Sequence, residues 1–272
     1  MTLLLERQGP VLHVTLNRPE LRNAMSLRMV SDLRAALRTA EDEGQVRVIV
    51  LRGAGGNFCA GADLKDMAGA RMQAMQSQPQ AAADEPTLDA VAQANLQFGE
   101  LCLAFASTPL ALVAVLEGSV MGGGFGLACV ADVALAAESA LFRLPETGLG
   151  MVPAQIAPFL VERLGYSQAK RLAVTGGRVS AAQALAIGLV HAVHAADQIG
   201  AALDAVLADI LACAPGALAA TKALMAKARL TAAAELLQPA AIVFSRAAQG
   251  AEGIEGTTAF IQKRKPNWAV VT

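Results

Sequence analysis

Two short apolar runs, "VLHVTLN" (11–17) and "VRVIVLRG" (46–53), bracket one amphipathic stretch, "SLRMVSDLRAALRTAEDE" (26–43). In that stretch Leu27, Val30, Leu33, Ala36 and Leu37 recur on one helical face, with charges between them. Ser26 is placed to cap the helix and Gly44 to end it. Strand, helix and strand at this spacing predict a βαβ unit, which commits the chain to an α/β architecture. "TLLLER" (2–7) precedes it as a further strand, joined at "QGP" in a hairpin.

Strands and helices alternate as far as about residue 150. "GAGGNFCAGADL" (53–64) reads as a loop, and the polar, Ala/Gln-rich residues 69–87 as a mobile surface segment or irregular helix. A helix over about 88–106 leads to the strand "LALVAVLEG" (110–118), and "ADVALAAES" and "ALFRLPETGLG" supply another strand and then a short strand and turn. From Ala154 onward helices dominate: "AQIAPFLVERLG", "SQAKRLAVTG", "SAAQALAIG", then three more between about 197 and 262. The terminal helices are Ala-rich and too poor in large apolar residues to make a strong core alone. They are expected to dock on the body or on a neighbouring subunit.

Hydrophobic residues make up 54% of the 272 and charged ones 17%, enough for a sizeable core. The net charge of −1 and 4% aromatics offer neither a basic patch nor a stacking platform, so no nucleic-acid partner is expected. Cys59, Cys102, Cys129 and Cys213 share no metal spacing and read as small core residues of a reducing compartment. His13, His191 and His194 read as structural or surface groups. The N-terminus has no charged-then-apolar leader, and Pro109 interrupts the short apolar stretch 101–116. A cytoplasmic protein with no membrane partner and no metal is therefore expected.

Two loops can carry chemistry. "NFCAGADLKDM" (57–67) ends a strand, turns at Gly61 and opens a helix; "EGSVMGGGFGLACVAD" (117–132) does the same near Gly122. Free N–H groups cluster at helix starts, where the macrodipole favours negative charge. One N–H from each loop would make a pocket for a developing oxyanion. Spacing alone favours the plainer role of close helix–strand packing for Gly122–Gly124. Neither nucleotide-binding glycine pattern is matched. Glu146, after a proline in "FRLPETGLG", is in isolation a helix cap or half of a surface pair; desolvated, it would be an acid/base of raised pKa. Asp132 reads as a turn or ion-pair residue.

Taken together, "LNRPELRNAMS", "FCAGADLKDM", "GSVMGGGFGLACVADVALAAESALFRLPETGLGMVP" and "EGIEGTTAFIQKRKPNW" resemble the enoyl-CoA hydratase/isomerase (crotonase) family over nearly the whole length. The resemblance implies an α/β spiral of ββα units over 1–200. A helical C-terminal trimerisation part over 201–272 completes it, assembled as a homotrimer or homohexamer. It implies an acyl-CoA thioester as substrate and no separate cofactor. The thioester oxygen would be held by the N–H groups of Ala62 and Gly123. Ala60, Asp63, Leu64 and Lys65 would line the CoA moiety, and Phe260 and Lys263 would lie near the CoA of this or an adjacent subunit.

Hydratases of the family carry two glutamates. The second is present as Glu146; the first, in a "GGG-x-E" pattern, is replaced by Gly126. The usual "PG-x-GG" continuation is also changed, to "VPAQIAP", and no role transfers to Gln155. Hydratases of branched glutaconyl-CoA thioesters resemble this chain most, isohexenylglutaconyl-CoA in acyclic terpene breakdown ahead of 3-methylglutaconyl-CoA. In such substrates water attacks a crowded carbon, and a second glutamate would repel the substrate carboxylate. Gly126 is therefore expected to make room for a branched, acidic acyl chain, with Glu146 as sole acid/base. A single-glutamate double-bond isomerase and a non-catalytic acyl-CoA-binding subunit are the alternatives.

Overall fold

The computed structural model describes residues 1–76 and 88–269. The chain opens with the expected hairpin, β1 (Leu3–Gln8) antiparallel to β2 (Val11–Leu16). Helix α1 (Leu27–Glu43) then crosses to β3 (Val48–Gly53), which pairs parallel with β2. Ser26 Oγ accepts from Met29 N–H at 3.2 Å and caps α1; Gly44 ends it in the left-handed region. Helices α2 (Leu64–Gln76) and α3 (Ala90–Ser107) follow, then β4 (Ala111–Leu116) and the three-residue β5 (Ser119–Met121). The first part of the predicted 69–87 segment is thus regular helix, and residues 77–87 lie outside the described residues.

Helix α4 (Gly123–Val130) grows directly out of the glycine run and leads into β6 (Val133–Ala137) and β7 (Leu141–Arg143). After it come α5 (Ala157–Thr175), β8 (Arg178–Ser180), α6 (Ala181–Ala186) and β9 (Ala192–His194). The two helices expected between 154 and 176 are present as the two segments of α5, broken at Gly165, whose φ of 71° and ψ of 157° are non-helical. Four helices, not three, close the chain: α7 (Ile199–Ala212), α8 (Pro215–Ala228), α9 (Ala233–Gln249) and α10 (Ala251–Ile261). Gly250 separates the last two, with extended backbone dihedrals that end one helix and start the next.

The strands form a six-stranded sheet, ordered β1-β2-β3-β4-β6-β9, and a small sheet ordered β5-β7-β8. Every neighbour beyond the hairpin in the larger sheet is parallel. Parallel strands are buried on both faces, and here the alternation sorts them. Ile49, Leu51, Leu112, Ala114 and Leu116 face the core shared with α1, α3 and α4. Val48, Val50, Val113, Val115 and Leu135 face a second core closed by Ile199, Leu203 and Leu207 of α7. Residue 200 therefore falls inside a helix that packs on the sheet. α8 and α9 bury no residue, and Leu230, Leu237 and Phe244 stand largely in solvent. Among the described residues no single helix is long and apolar enough to cross a membrane.

Cys59, Cys102 and Cys129 are buried, and desolvation pushes all three thiols up, Cys59 to about 11 and Cys129 to about 12. Cys213 departs from expectation: it sits exposed at the end of α7 rather than in the core. Asp132 has the structural role read from its position. It accepts from Leu112 N–H at 2.8 Å and pairs with Lys222 at 2.5 Å. His191 Nδ1 accepts from Ala134 N–H, tying β9 to β6.

Candidate functional site

The parallel sheet delivers its loops to one edge, where ligands of open α/β sheets bind. Two loops meet there through glycine. Gly61, with φ 100°, precedes Ala62, and Gly122, with φ 51°, precedes Gly123. Both conformations are ones that L side chains rarely adopt. The two glycines also face each other: a Cβ on Gly122 would stand 3.5 Å from Gly61 Cα.

Each loop is held so that one N–H is left over. Met25 N–H donates to Gly61 O at 2.7 Å, and Asp63 N–H donates to Met25 O at 2.9 Å, which leaves the Ala62 N–H between them. Asn23, fully buried, donates to Ala54 O and Asn57 O and accepts from Arg18 N–H, and so pins the loop that leads to Ala62. Gly122 N–H donates to Arg143 O at 3.1 Å; Gly123, next in line, opens α4. The Ala62 and Gly123 N–H groups carry no hydrogen bond among the described residues. Such unused donors beside a helix start suit a thioester oxygen that gains negative charge.

Glu146 enters from the turn after β7. Its carbonyl accepts from Leu149 N–H and Met151 N–H, which fixes the turn, and its carboxylate caps no helix. The side chain points back to the glycines: a Cβ on Gly122 would meet Glu146 Oε1 at 2.9 Å. Glu146 Oε2 is buried without a partner, and burial pushes the carboxyl above the usual range. The helix-cap and surface-pair readings of Glu146 are thereby set aside.

Ala62, Gly123 and Glu146 line one largely apolar cavity of about 510 Å³. α3 forms its opposite wall with Phe98, whose Cζ lies 3.1 Å from where a Gly123 Cβ would be. Asp63 also borders the cavity but is engaged. Its carboxylate pairs with Arg18 at 2.7 Å and accepts from Lys65 N–H at 2.9 Å. Desolvation pushes that carboxyl up, but the hydrogen bonds and charge of Arg18 outweigh it and leave it lowered. Ala60 is half-buried, with its N–H on Arg22 O, and Leu64 and Lys65 face solvent at the start of α2. Phe260 and Lys263 lie far along the chain on and just after α10, exposed, and border no part of this cavity.

Gly126 departs from expectation. It does not border the cavity, and the space beside it is filled. A Cβ at Gly126 would stand 2.3 Å from Ile156 Cγ2 and 3.7 Å from Phe98 Cε1. The room that a missing glutamate leaves is taken by the buried Ile156, not held open for substrate. The two departures from the resembled pattern, Gly126 and "VPAQIAP", are one packing arrangement. Only the contact between them reveals this.

A family model described as Enoyl-CoA hydratase/isomerase matches residues 6–270. The chain is similar to Pseudomonas aeruginosa AtuE, at 52% identity and a TM-score of 0.91, over 99% of this chain and 100% of that one. It is also similar to an enoyl-CoA hydratase/isomerase from Marinobacter aquaeolei, at 48% identity and a TM-score of 0.91, over 99% of each chain. A probable enoyl-CoA hydratase, echA8, of Mycobacterium bovis is 32% identical over 273 residues, 98% of this chain and 97% of that protein.

Proposed function

The chain belongs to the enoyl-CoA hydratase/isomerase family, and on that premise we propose that it hydrates the 2,3 double bond of a branched, glutaconyl-type enoyl-CoA thioester. Isohexenylglutaconyl-CoA, an intermediate of acyclic terpene breakdown, is the substrate read from the sequence motifs. One observation carries the chemistry. The Glu146 carboxylate, with its Oε2 unpartnered, shares a cavity with two unused N–H donors. The thioester oxygen binds Ala62 and Gly123 N–H, which polarises the double bond. The oxygen of water bonds to C3 while its proton passes to Glu146, and the π pair moves onto the thioester oxygen. The enolate then collapses as Glu146 returns the proton to C2. Water has been added and the carboxylate restored.

The reading of the acyl chain rests on the "GGGFGL" and "RLPE…VPAQIAP" pattern and on one cation at the rim. Arg71 Nη2 lies 3.9 Å from Met151 Sδ, a residue of the cavity wall, and a substrate carboxylate could reach it there. A second reading has an observation behind it. With Ile156 occupying the place beside Gly126, one carboxylate suffices to move a proton between carbons, as in a double-bond isomerase. The exposed apolar residues of α8–α10 fit the assembly into trimers or pairs of trimers, which light scattering in solution tests.

A panel of thioesters decides the reaction: crotonyl, 3-methylglutaconyl, isohexenylglutaconyl and a 3-enoyl-CoA, each followed by mass. Hydration adds one water and isomerisation none. A gain of water fastest on the glutaconyl thioesters supports the proposal. Turnover confined to the 3-enoyl substrate, without mass change, replaces it with the second reading.

A further inference from the structure

An attacking water in an apolar cavity needs at least two polar tethers to be held in line, and Glu146 supplies one. Among the described residues, six polar or charged side chains border the cavity: Asp63, Asp66, Asp89, Asn95, Glu146 and Gln155. Three of them are spent on the fold. Asp63 is tied to Arg18 and Lys65 N–H, Asp66 accepts from Leu27 N–H at 2.7 Å, and Asp89 caps α3 through Ala92 N–H at 2.8 Å. Asn95 and Gln155 make no hydrogen bond among the described residues. Asn95 stands exposed, whereas Gln155 is half-buried.

Gln155 also has a seat made for it. A Cβ on Gly99, in the middle of α3, would lie 2.1 Å from Gln155 Oε1 and 2.7 Å from its Cδ. A glycine inside a helix costs about 1 kcal/mol relative to alanine. Here it clears the space that the amide occupies. The next residue, Ile156, sits against Gly126 of α4 in the same way. Residues 155 and 156 thus form a wedge between two helices, each of which gives up a side chain to admit it. The wedge places an apolar side chain against α4 and an amide at the cavity.

We propose that Gln155, seated on Gly99, is the second tether of the attacking water. Its amide oxygen accepts the water hydrogen that Glu146 does not take, and the water lone pair is left facing C3. This rests on the hydratase reading of the site. It adds no charge and no further proton transfer to the step already balanced through Glu146.

Two variants test it from opposite sides. Gln155→Leu removes the amide at nearly constant volume. Gly99→Ala keeps the amide and pushes it from its seat, and the gain in helix propensity offsets part of the displacement. Each is expected to lower kcat for hydration by about tenfold or more, the loss of one well-placed hydrogen bond. KM, and the Kd of a saturated acyl-CoA that cannot take up water, should stay within about threefold of the parent. A melting scan checks the fold in each case. Unchanged hydration in either variant overturns the proposal, and so does a Kd weakened as much as kcat, which would mark a merely structural residue. If the parent protein itself hydrates no enoyl thioester, the hydratase reading fails in that arm and the proposal fails with it. That result is distinct from the first two.

Discussion

Gly123 and Gly126 lie one turn apart on α4 and differ in what the absent side chain achieves. Beside Gly122 and Gly123 the neighbours are groups of the cavity itself, Glu146 Oε1 2.9 Å and Phe98 Cζ 3.1 Å from where the Cβ atoms would stand. The backbone N–H stays bare, with Glu146 on one side and Phe98 on the other. Beside Gly126 the space is spent at once on Ile156, and beside Gly99 on Gln155. Glycine therefore has two uses within one site. In one wall it exposes backbone to a ligand; in the other it yields volume to a side chain from a distant segment. The first wall is built from peptide dipoles and one carboxylate, the second from packing.

The strongest way to break the first wall is Glu146→Gln, expected to cut kcat for hydration by about a hundredfold or more, in steady-state kinetics. The same change should raise the thermal midpoint at neutral pH. Burial raises the folded pKa of Glu146 above its unfolded value. The folded state then holds its proton more tightly, and stability falls as pH climbs through that interval. Gln carries no such penalty. Near-parental kcat would remove Glu146 from the reaction. Next in size is Arg18→Met, which leaves Asp63 buried and unpaired beside Ala62. A loss of about 3 kcal/mol is expected in denaturant titration, the low end for a broken buried pair because Arg18 keeps some solvent contact.

The second wall breaks by overpacking. Gly126→Ala drives a methyl into Ile156 and should cost about 1–3 kcal/mol. Ile156→Ala leaves a cavity and should cost about 2–5 kcal/mol. Together they should cost less than their sum, because the clash and the void cancel. An additive double-mutant cycle would show that the two do not share this space. The smallest effect sharpens the first wall. The acid limb of kcat/KM should lie above the ordinary carboxylate value of 4.5, since Glu146 must be ionised to take a proton. A limb at or below 4.5 would mean that Glu146 is solvated in the working enzyme.

The first wall was legible in the sequence and the second was not. Ser26, Gly44 and the apolar face of α1 are local signals, and so are the glycines that announce a strand turning into a helix. The motif positions of Ala62, Gly123 and Glu146 assembled as expected around one cavity. β5, β8 and β9 escape a reading by period, since three residues carry none; β7, equally short, is legible only from the proline turn after it. The count of closing helices failed at Gly250, where a single residue in extended conformation divides two helical runs. The motif marks Gly126 as a missing carboxylate and hence as room, but its neighbour Ile156 is 30 positions away. A local pattern shows that a side chain is missing, never what fills its place. Gly99 gave no signal at all, because its reason is Gln155.

The contact between Gly126 and Ile156 also sets an order on the paths by which such a site can change. A carboxylate side chain does not fit at position 126 while Ile156 stands there. Trimming Ile156 first opens a void that costs about 2–5 kcal/mol, a large part of what a domain has to spare. Each single step lowers stability, and the two together lower it by less than their sum. Positions 126 and 156 are thereby tied: a larger side chain at one requires a smaller one at the other.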